Sequence, residues 1–403
     1  MKYLVIVYDG MADRPIPALG NKTPLMVAKT PMMDSLTPSS LCGTVSNVPE
    51  GMVPESDTAN LAILSYDPRE FSKGRSPLEA VSMGIEMQPD ETAYRCNVVT
   101  LSEEEERYED KRILDHSADE ITTAEADELI KALDAALGNE IRKFYTGISY
   151  RHCMIRKNGV EKYPFARPHD HIGQRIGEYL PSGDEGEEFL QMMKASYDIL
   201  NHHPINEARR ARGLRPANSA WFWSPGKKPA LPSFKEKFGL DAAVISAVDL
   251  IKGIGLCAGM TSIDVEGATG NVHTNYKGKA DAAIGAFKEG KDLVYVHVEG
   301  PDECGHRGET ENKILSIESI DGKILAPVVS YLKETGEPFR VMCLPDHPTP
   351  IAIRTHSMEP VPFFIYDSEK KAEGPAHMDE DSAAATGLYV DDGTRLMDML
   401  LKK

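Results

Sequence analysis

Four short apolar runs end abruptly at acidic or imidazole side chains. Residues 3–8 stop at Asp9-Gly10, and residues 293–298 are followed by Asp302 and His306. Residues 341–344 lead into Pro345-Asp346-His347, and residues 362–366 are preceded by His356. Runs this short and this continuously apolar predict strands covered on both faces. Helical patterns lie between them, over 280–288 and over 314–333, where Ile317, Ile320, Ile324, Val328 and Leu332 recur at helical spacing. Pro327 is expected to bend or split the second helix, because it lacks an N–H and crowds the preceding turn. Strands alternating with helices predict an α/β fold with a mostly parallel central sheet flanked by helices. Ligands of such sheets gather beyond the carboxyl ends of the strands, where the acids and histidines stand.

The middle of the chain has a different pattern. Residues 94–101 predict a strand, and Thr122-x-x-Glu125 opens a helix that Gly138 ends. Residues 149–156 and 160–165, joined by Asn158-Gly159, predict a β-hairpin with a type I′ turn. Residues 187–202 predict a further helix, and the Pro- and Gly-rich WFWSPGKKPALPS over 221–233 reads as a connection. The chain is therefore read as a discontinuous α/β domain, 1–71 with 237–403, interrupted by a smaller α+β domain over 72–236.

Charge and cysteine usage narrow the class of partner. The formal net charge of the 403 residues is −18, which argues against nucleic acid and anionic membrane. The six cysteines are scattered with no C-x-x-C pair, as expected in a reducing compartment. The first apolar run is too short for a signal peptide, and no segment has the length to span a bilayer. A cytoplasmic protein acting on a small molecule is the expectation.

Asp9, Asp302, His306, Asp346, His347 and His356 all fall at strand ends. Converging carboxylates and imidazoles call for cations, and mixed Asp/His sets suit Mn²⁺, Zn²⁺ or Co²⁺. Asp302 and His306 are one helical turn apart, so both can face one ion. A serine, Ser56, sits in VPESDTANLAIL between two acids and before a helical run. The ordinary reading of such a serine is a helix N-cap. The other reading is a nucleophile assisted by a cation and by a helix N-terminus, which together favour a phosphorylated serine.

The chain resembles the cofactor-independent phosphoglycerate mutases, in their archaeal-type branch within the alkaline phosphatase superfamily. The resemblance runs over nearly the full length. It is carried by YDGMADRP, PESDTANLAILSYDP, GRSPLEAVSMGI, RCNVVTL, RPANSAWFW, AVISAVDLIKGIGLCAGM, TNYKGKADAA, VYVHVEGPDECGH and PDH with THSMEPVPF. It implies an alkaline-phosphatase-like fold and two divalent ions, usually manganese, with Mg²⁺ also possible and no 2,3-bisphosphoglycerate. It further implies that Asp302, His306 and His356 hold one ion. Asp9, Asp346 and His347 hold the other, with Ser56 Oγ as a further ligand. The implied reaction interconverts 3-phosphoglycerate and 2-phosphoglycerate through a phosphoserine on Ser56, with an inserted domain that grips the substrate.

The insert carries an arginine cluster in NEARRARGLRPAN. Arg209 and Arg212, at i and i+3, can share a helix face and match an R-x-x-R pair of the bacterial branch. Arg95, Arg151, His169 and Asp170 are the remaining substrate candidates. The rival readings are a phosphatase or phosphomutase acting on another small metabolite, a homoserine kinase as proposed for some relatives, and a metal-binding module without activity. No G-x-x-x-x-G-K-[ST] is present, which weakens a P-loop kinase and leaves open a different ATP site.

Overall fold

The computed structural model describes residues 1–402. They form two compact units, one of residues 1–72 with the chain from Ala230 onward, the other Lys73–Pro229. Sequence patterning puts the limits of the insert at 72 and 236, the latter beyond the end of the unit at Pro229.

The first unit is built on an eight-stranded sheet. In spatial order its strands are Tyr389–Val390, Leu41–Val45, Val361–Asp367, Phe339–Leu344, Lys2–Tyr8, Leu293–Val298, Ala242–Ile245 and Thr261–Ser262. The five from Phe339–Leu344 to Thr261–Ser262 run parallel. Val361–Asp367 runs antiparallel to both its neighbours. Its beginning therefore lies at the edge where the parallel strands end. That is why His356, which precedes a strand, reaches the same edge as Asp9, Asp302 and Asp346, which follow strands.

Leu4, Val5, Ile6, Val7 and Tyr8 are all fully buried, as are Val294 and Val296 on the neighbouring strand. Helices supply the cover on the sheet: Ala280, Ala283 and Phe287 from Tyr276–Lys288, and Ile317, Ile320, Val328 and Leu332 from the segment around Pro327. That segment divides as expected, but the break precedes the proline. Thr310–Ile320 passes through a π-helical stretch, Asp321–Leu325, into Ala326–Thr335. Pro327 sits in the first turn of the last piece, and the widened stretch accommodates the missing donor and the crowded ring.

The second unit is a five-stranded antiparallel sheet packed on two long helices, Thr123–Leu137 and Gly183–Leu200. Two sequence-based expectations fail here. The hairpin partner of Arg151–Lys157 is Arg142–Ile148, joined through a left-handed Ser149, and residues 160–165 form no strand. The supposed connection over 221–233 begins as a strand, Ser219–Lys227, paired with Glu91–Leu101. Among the described residues no helix is long and apolar enough to cross a membrane.

Candidate active site

Ser56 is not a helix cap. The helix Ser56–Ile63 has Glu55 at its N-cap position, with no side-chain cap hydrogen bond, so Ser56 is the first helical residue. Its Oγ instead lies 3.2 Å from His347 Nε2. The helix is fixed from within by Asn60, whose Nδ2 donates to Ser56 O at 2.8 Å and to Asp346 Oδ2 at 2.9 Å. The Tyr295 hydroxyl donates to Asn60 Oδ1 at 2.5 Å. Asp346 also accepts from the N–H groups of Gly10 and His347.

Asp302 and His306 lie on the helix Gly300–Arg307, with His306 Nε2 3.3 Å from Asp302 Oδ2. His356 Nε2 stands 3.3 Å from Asp302 Oδ1 and 3.0 Å from His306 Nε2. These three side chains thus meet at one point. His347 Nε2 is 3.5 Å from Asp9 Oδ1 and 3.6 Å from Asp346 Oδ2. It also lies within ligand-sharing distance of Asp302 and His356, so it stands between the two groups. The structure therefore brings Asp9, Ser56, Asp302, His306, Asp346, His347 and His356 together at one sheet edge.

His297 joins them, and nothing in the sequence singled it out. It lies inside the Leu293–Val298 strand, fully buried, with Nε2 3.2 Å from Asp9 Oδ2. An imidazole within an apolar run looks like a core residue. Its signal is positional: it is the last residue but one of the strand, at the register position of Val7, two residues before Asp9. Asn60 is likewise silent in sequence, as a polar residue four after Ser56.

The ring orientations test whether these residues suit cations. His306 Nδ1 faces Arg354 O at 3.0 Å, and His356 Nδ1 faces Pro54 O at 2.5 Å. A carbonyl only accepts, so in both rings Nδ1 carries a proton, and Nε2 is the nitrogen that can give up its proton and offer a lone pair to a cation. All these Nε2 atoms converge with the carboxylates. Asp9 Oδ1 and His297 Nε2 are buried without a hydrogen-bond partner. Buried polar atoms without partners at Asp9 and His297, beside His306 and His356 rings whose far nitrogens are held by carbonyls, fit divalent cations and their usual outer shell.

The electrostatics agree. Burial pushes Asp9 well above the usual carboxylate range, and the charges of Asp346, Asp302 and Glu299 push it further. Burial also acts to raise Asp302, but hydrogen bonds from His306 and His356 outweigh it and hold that carboxyl well below its ordinary value. The hydrogen bond to Asp302 lifts His306 to about 9, against its own burial. Burial lowers His297 to about 4, and lowers His347 also. Without cations the cluster holds protons in place of positive charge.

The candidates on the insert divide into two sets. Arg95 pairs with Glu79, its Nε donating at 2.7 Å, and stacks on Trp223 at 4.6 Å. His169 packs 5.4 Å from the same indole, with Asp170 3.5 Å from its Nε2. His116 links His169 to Tyr150, over which the exposed Arg151 lies at 4.4 Å. Arg95, Arg151, His169 and Asp170 therefore share one cationic and aromatic patch.

Arg209 and Arg212 do not belong to it, and the expectation of an anion-gripping pair is corrected for Arg209. That side chain is 2 % exposed, and its nitrogens donate to Arg215 O, Glu125 Oε2 and Ala118 O at 2.9, 2.6 and 2.5 Å. Arg212 is half exposed and pairs with the same Glu125 carboxylate. The two arginines do share a face, and an internal carboxylate occupies it.

The fold and site define an α/β protein with two adjoining ligand groups for divalent cations beside a serine at a helix N-terminus. The sequence profile of 2,3-bisphosphoglycerate-independent phosphoglycerate mutase matches residues 38–206. A probable mutase of that name from Geobacter sulfurreducens is 46% identical over 404 residues, covering all of both chains. The mutase of Methanosarcina barkeri is equally similar, again over both full chains. Among solved structures, a protein from Pyrococcus horikoshii superimposes with a TM-score of 0.82 at 28% identity, covering 100% of this chain and 96% of that one. The cofactor-independent phosphoglycerate mutase of Thermoplasma acidophilum gives 0.68 at 26% identity, covering 100% and 99%. The chain belongs to the 2,3-bisphosphoglycerate-independent phosphoglycerate mutase family.

Proposed function

We propose that this protein interconverts 3-phosphoglycerate and 2-phosphoglycerate through a phosphoserine on Ser56. The observation that carries the reading is Ser56 Oγ, uncapped at a helix start and 3.2 Å from His347 Nε2, beside the two ligand groups. Asp302, His306 and His356 hold one divalent ion. Asp9, Asp346, His347 and Ser56 hold the other, with His297 backing Asp9. Mn²⁺ suits this mixture of imidazole and carboxylate. When bound, the ions supply positive charge that neutralises the phosphoryl oxygens and favours the ionised serine.

The chain's own residues do the rest. The Ser56 Oγ–phosphorus bond forms as the bond from phosphorus to O3 of the substrate breaks, and the serine proton passes to the departing oxygen. The helix N-terminus under Ser56 favours the transferred anion through its dipole. O2 of the retained glycerate then bonds to phosphorus as the Oγ–phosphorus bond breaks, and the O2 proton passes to Ser56. The serine itself carries the group, so no bisphosphorylated primer is required. Catalysis of this kind is chiefly positioning and charge neutralisation. On the insert, Arg151, Arg95 and His169 recognise the substrate's anionic groups, Asp170 orients His169, and Arg212 has a lesser part. The six unbridged thiols suit a reducing location such as the cytoplasm.

An assay with 3-phosphoglycerate and Mn²⁺, without 2,3-bisphosphoglycerate and coupled to consumption of 2-phosphoglycerate, tests the reading. Turnover that stops with chelator is expected. Release of inorganic phosphate without 2-phosphoglycerate would make the protein a phosphatase and contradict it.

A further inference from the structure

Thr349 follows His347 by two residues and lies against the segments that carry Asp9, Asp302 and His306. Its Oγ1 donates to Asp302 Oδ1 at 2.5 Å and lies 3.3 Å from His347 Nδ1. The surrounding backbone is shaped to admit it. A Cβ on Gly10, which follows Asp9, would come within 2.5 Å of Thr349 Oγ1. A Cβ on Gly305, which precedes His306, would meet Thr349 O at 2.4 Å. Gly10 is also left-handed, with φ +62°, so a side chain there is excluded twice over.

The hydroxyl has one proton. A carboxylate only accepts, so that proton goes to Asp302 and the oxygen is left to accept from His347 Nδ1–H. The Nε2 lone pair of His347 then points away from Thr349, towards Ser56, Asp9 and Asp346. His306 and His356 have their tautomers fixed by backbone carbonyls. The His347 ring meets the Pro348 carbonyl as well as Thr349 Oγ1, and of these two partners Thr349 is the one that also holds the carboxylate of the other ligand group.

We propose that Thr349 is a positioning residue that couples the two cation sites, its single hydroxyl fixing both the Asp302 carboxylate and the tautomer of His347. The inference rests on the two-ion reading above. It predicts that the sites are not independent: removing one hydroxyl weakens ion binding in both groups.

Mn²⁺ binding to the full chain by equilibrium dialysis tests it, comparing wild type, Thr349→Ala and Thr349→Ser. Valine is unsuitable because it would press a methyl against Asp302 Oδ1. Loss of a partner that orients metal ligands costs about 10- to 100-fold in affinity. Thr349→Ala should therefore bind both ions at least about tenfold more weakly, while Thr349→Ser stays close to wild type. Equal weakening in both variants, or none in Thr349→Ala, overturns the proposal while leaving the two-ion reading intact. Fewer than two ions in wild type overturns both. Should Thr349→Ala not fold, nitrogen-15 NMR of the metal-free wild type decides, with His347 assigned by loss of its signal in His347→Gln. A proton on Nδ1 is the expected tautomer, and a proton on Nε2 alone overturns the proposal.

Discussion

Ser56 Oγ and His347 Nε2 approach to 3.2 Å although 291 residues separate them in the chain. The contact closes because the serine begins a helix and the histidine ends a parallel strand's exit loop, and Asn60 ties the two segments through Asp346. A serine placed this way is presented to the ligand groups instead of to its own backbone. The consequences can be measured.

Ion uptake should release protons. In the metal-free protein burial and the neighbouring carboxylates shift Asp9 towards its protonated form, and at neutral pH His306 is held protonated by its hydrogen bond to Asp302. Both must lose their protons to become ligands. Mn²⁺ affinity should rise with pH until it levels near pH 9, where His306 loses its proton unaided. For folding of the metal-free chain the sign is opposite. The raised His306 value adds stability that is complete below about pH 6.5 and disappears as pH rises through about 9. A pH-indicator dye should report at least one proton released as both sites fill, and no release at pH 7 would contradict this account.

Lys313 and Asp13 form an ion pair at 2.8 Å in which both side chains are wholly buried. The ammonium also donates to Thr349 O at 2.9 Å, tying the loop between His347 and His356 to the segment after Asp9. Removing one partner of such a pair leaves a buried charge alone, at a cost of about 3–5 kcal/mol. Lys313→Met should lose that much in urea unfolding. A loss below about 1 kcal/mol would show that the pair is not holding the loops.

Arg209→Ala should destabilise the protein and leave KM for 3-phosphoglycerate nearly unchanged in the folded fraction. The side chain makes three internal donations, one of them to a carboxylate, and all are lost together. A several-degree fall in melting temperature is expected. A large rise in KM with an unchanged melting temperature would restore Arg209 to the substrate.

Arg151→Ala, on an exposed guanidinium, should do the reverse. Loss of a charge-assisted contact is worth about 1.5–3 kcal/mol, or roughly ten- to hundredfold in kcat/KM, without loss of stability. Unchanged kinetics would leave Arg151 a surface residue.

The strands that carry the site were legible because burial on both faces makes them continuously apolar, and the acids at their ends stand out against that background. Strand direction was not legible. Nothing in the composition of residues 361–367 says that they run antiparallel, although this is what brings His356 to the right edge. Asn158-Gly159 has the composition of a hairpin turn, yet the pairing goes to Arg142–Ile148, because a turn signal does not say which flanking segment has a partner. Pro225 made a strand look like a linker, but it sits in Ser219–Lys227, which pairs on one side only and tolerates a missing donor. His297 was hidden because burial, which makes it important, also makes it resemble core. Arg209 was misread because a clustered arginine looks free until the acid that binds it, 84 residues away, is seen.

The central claim is that Ser56 carries the phosphoryl group. Wild type incubated with 3-phosphoglycerate and Mn²⁺, quenched in acid and examined by mass spectrometry, should bear phosphate on Ser56. Ser56→Ala should bear none, and should lose mutase activity by about a thousandfold or more while remaining folded. Phosphate trapped on any other residue, or a Ser56→Ala variant that keeps more than a few per cent of the activity, would contradict the account.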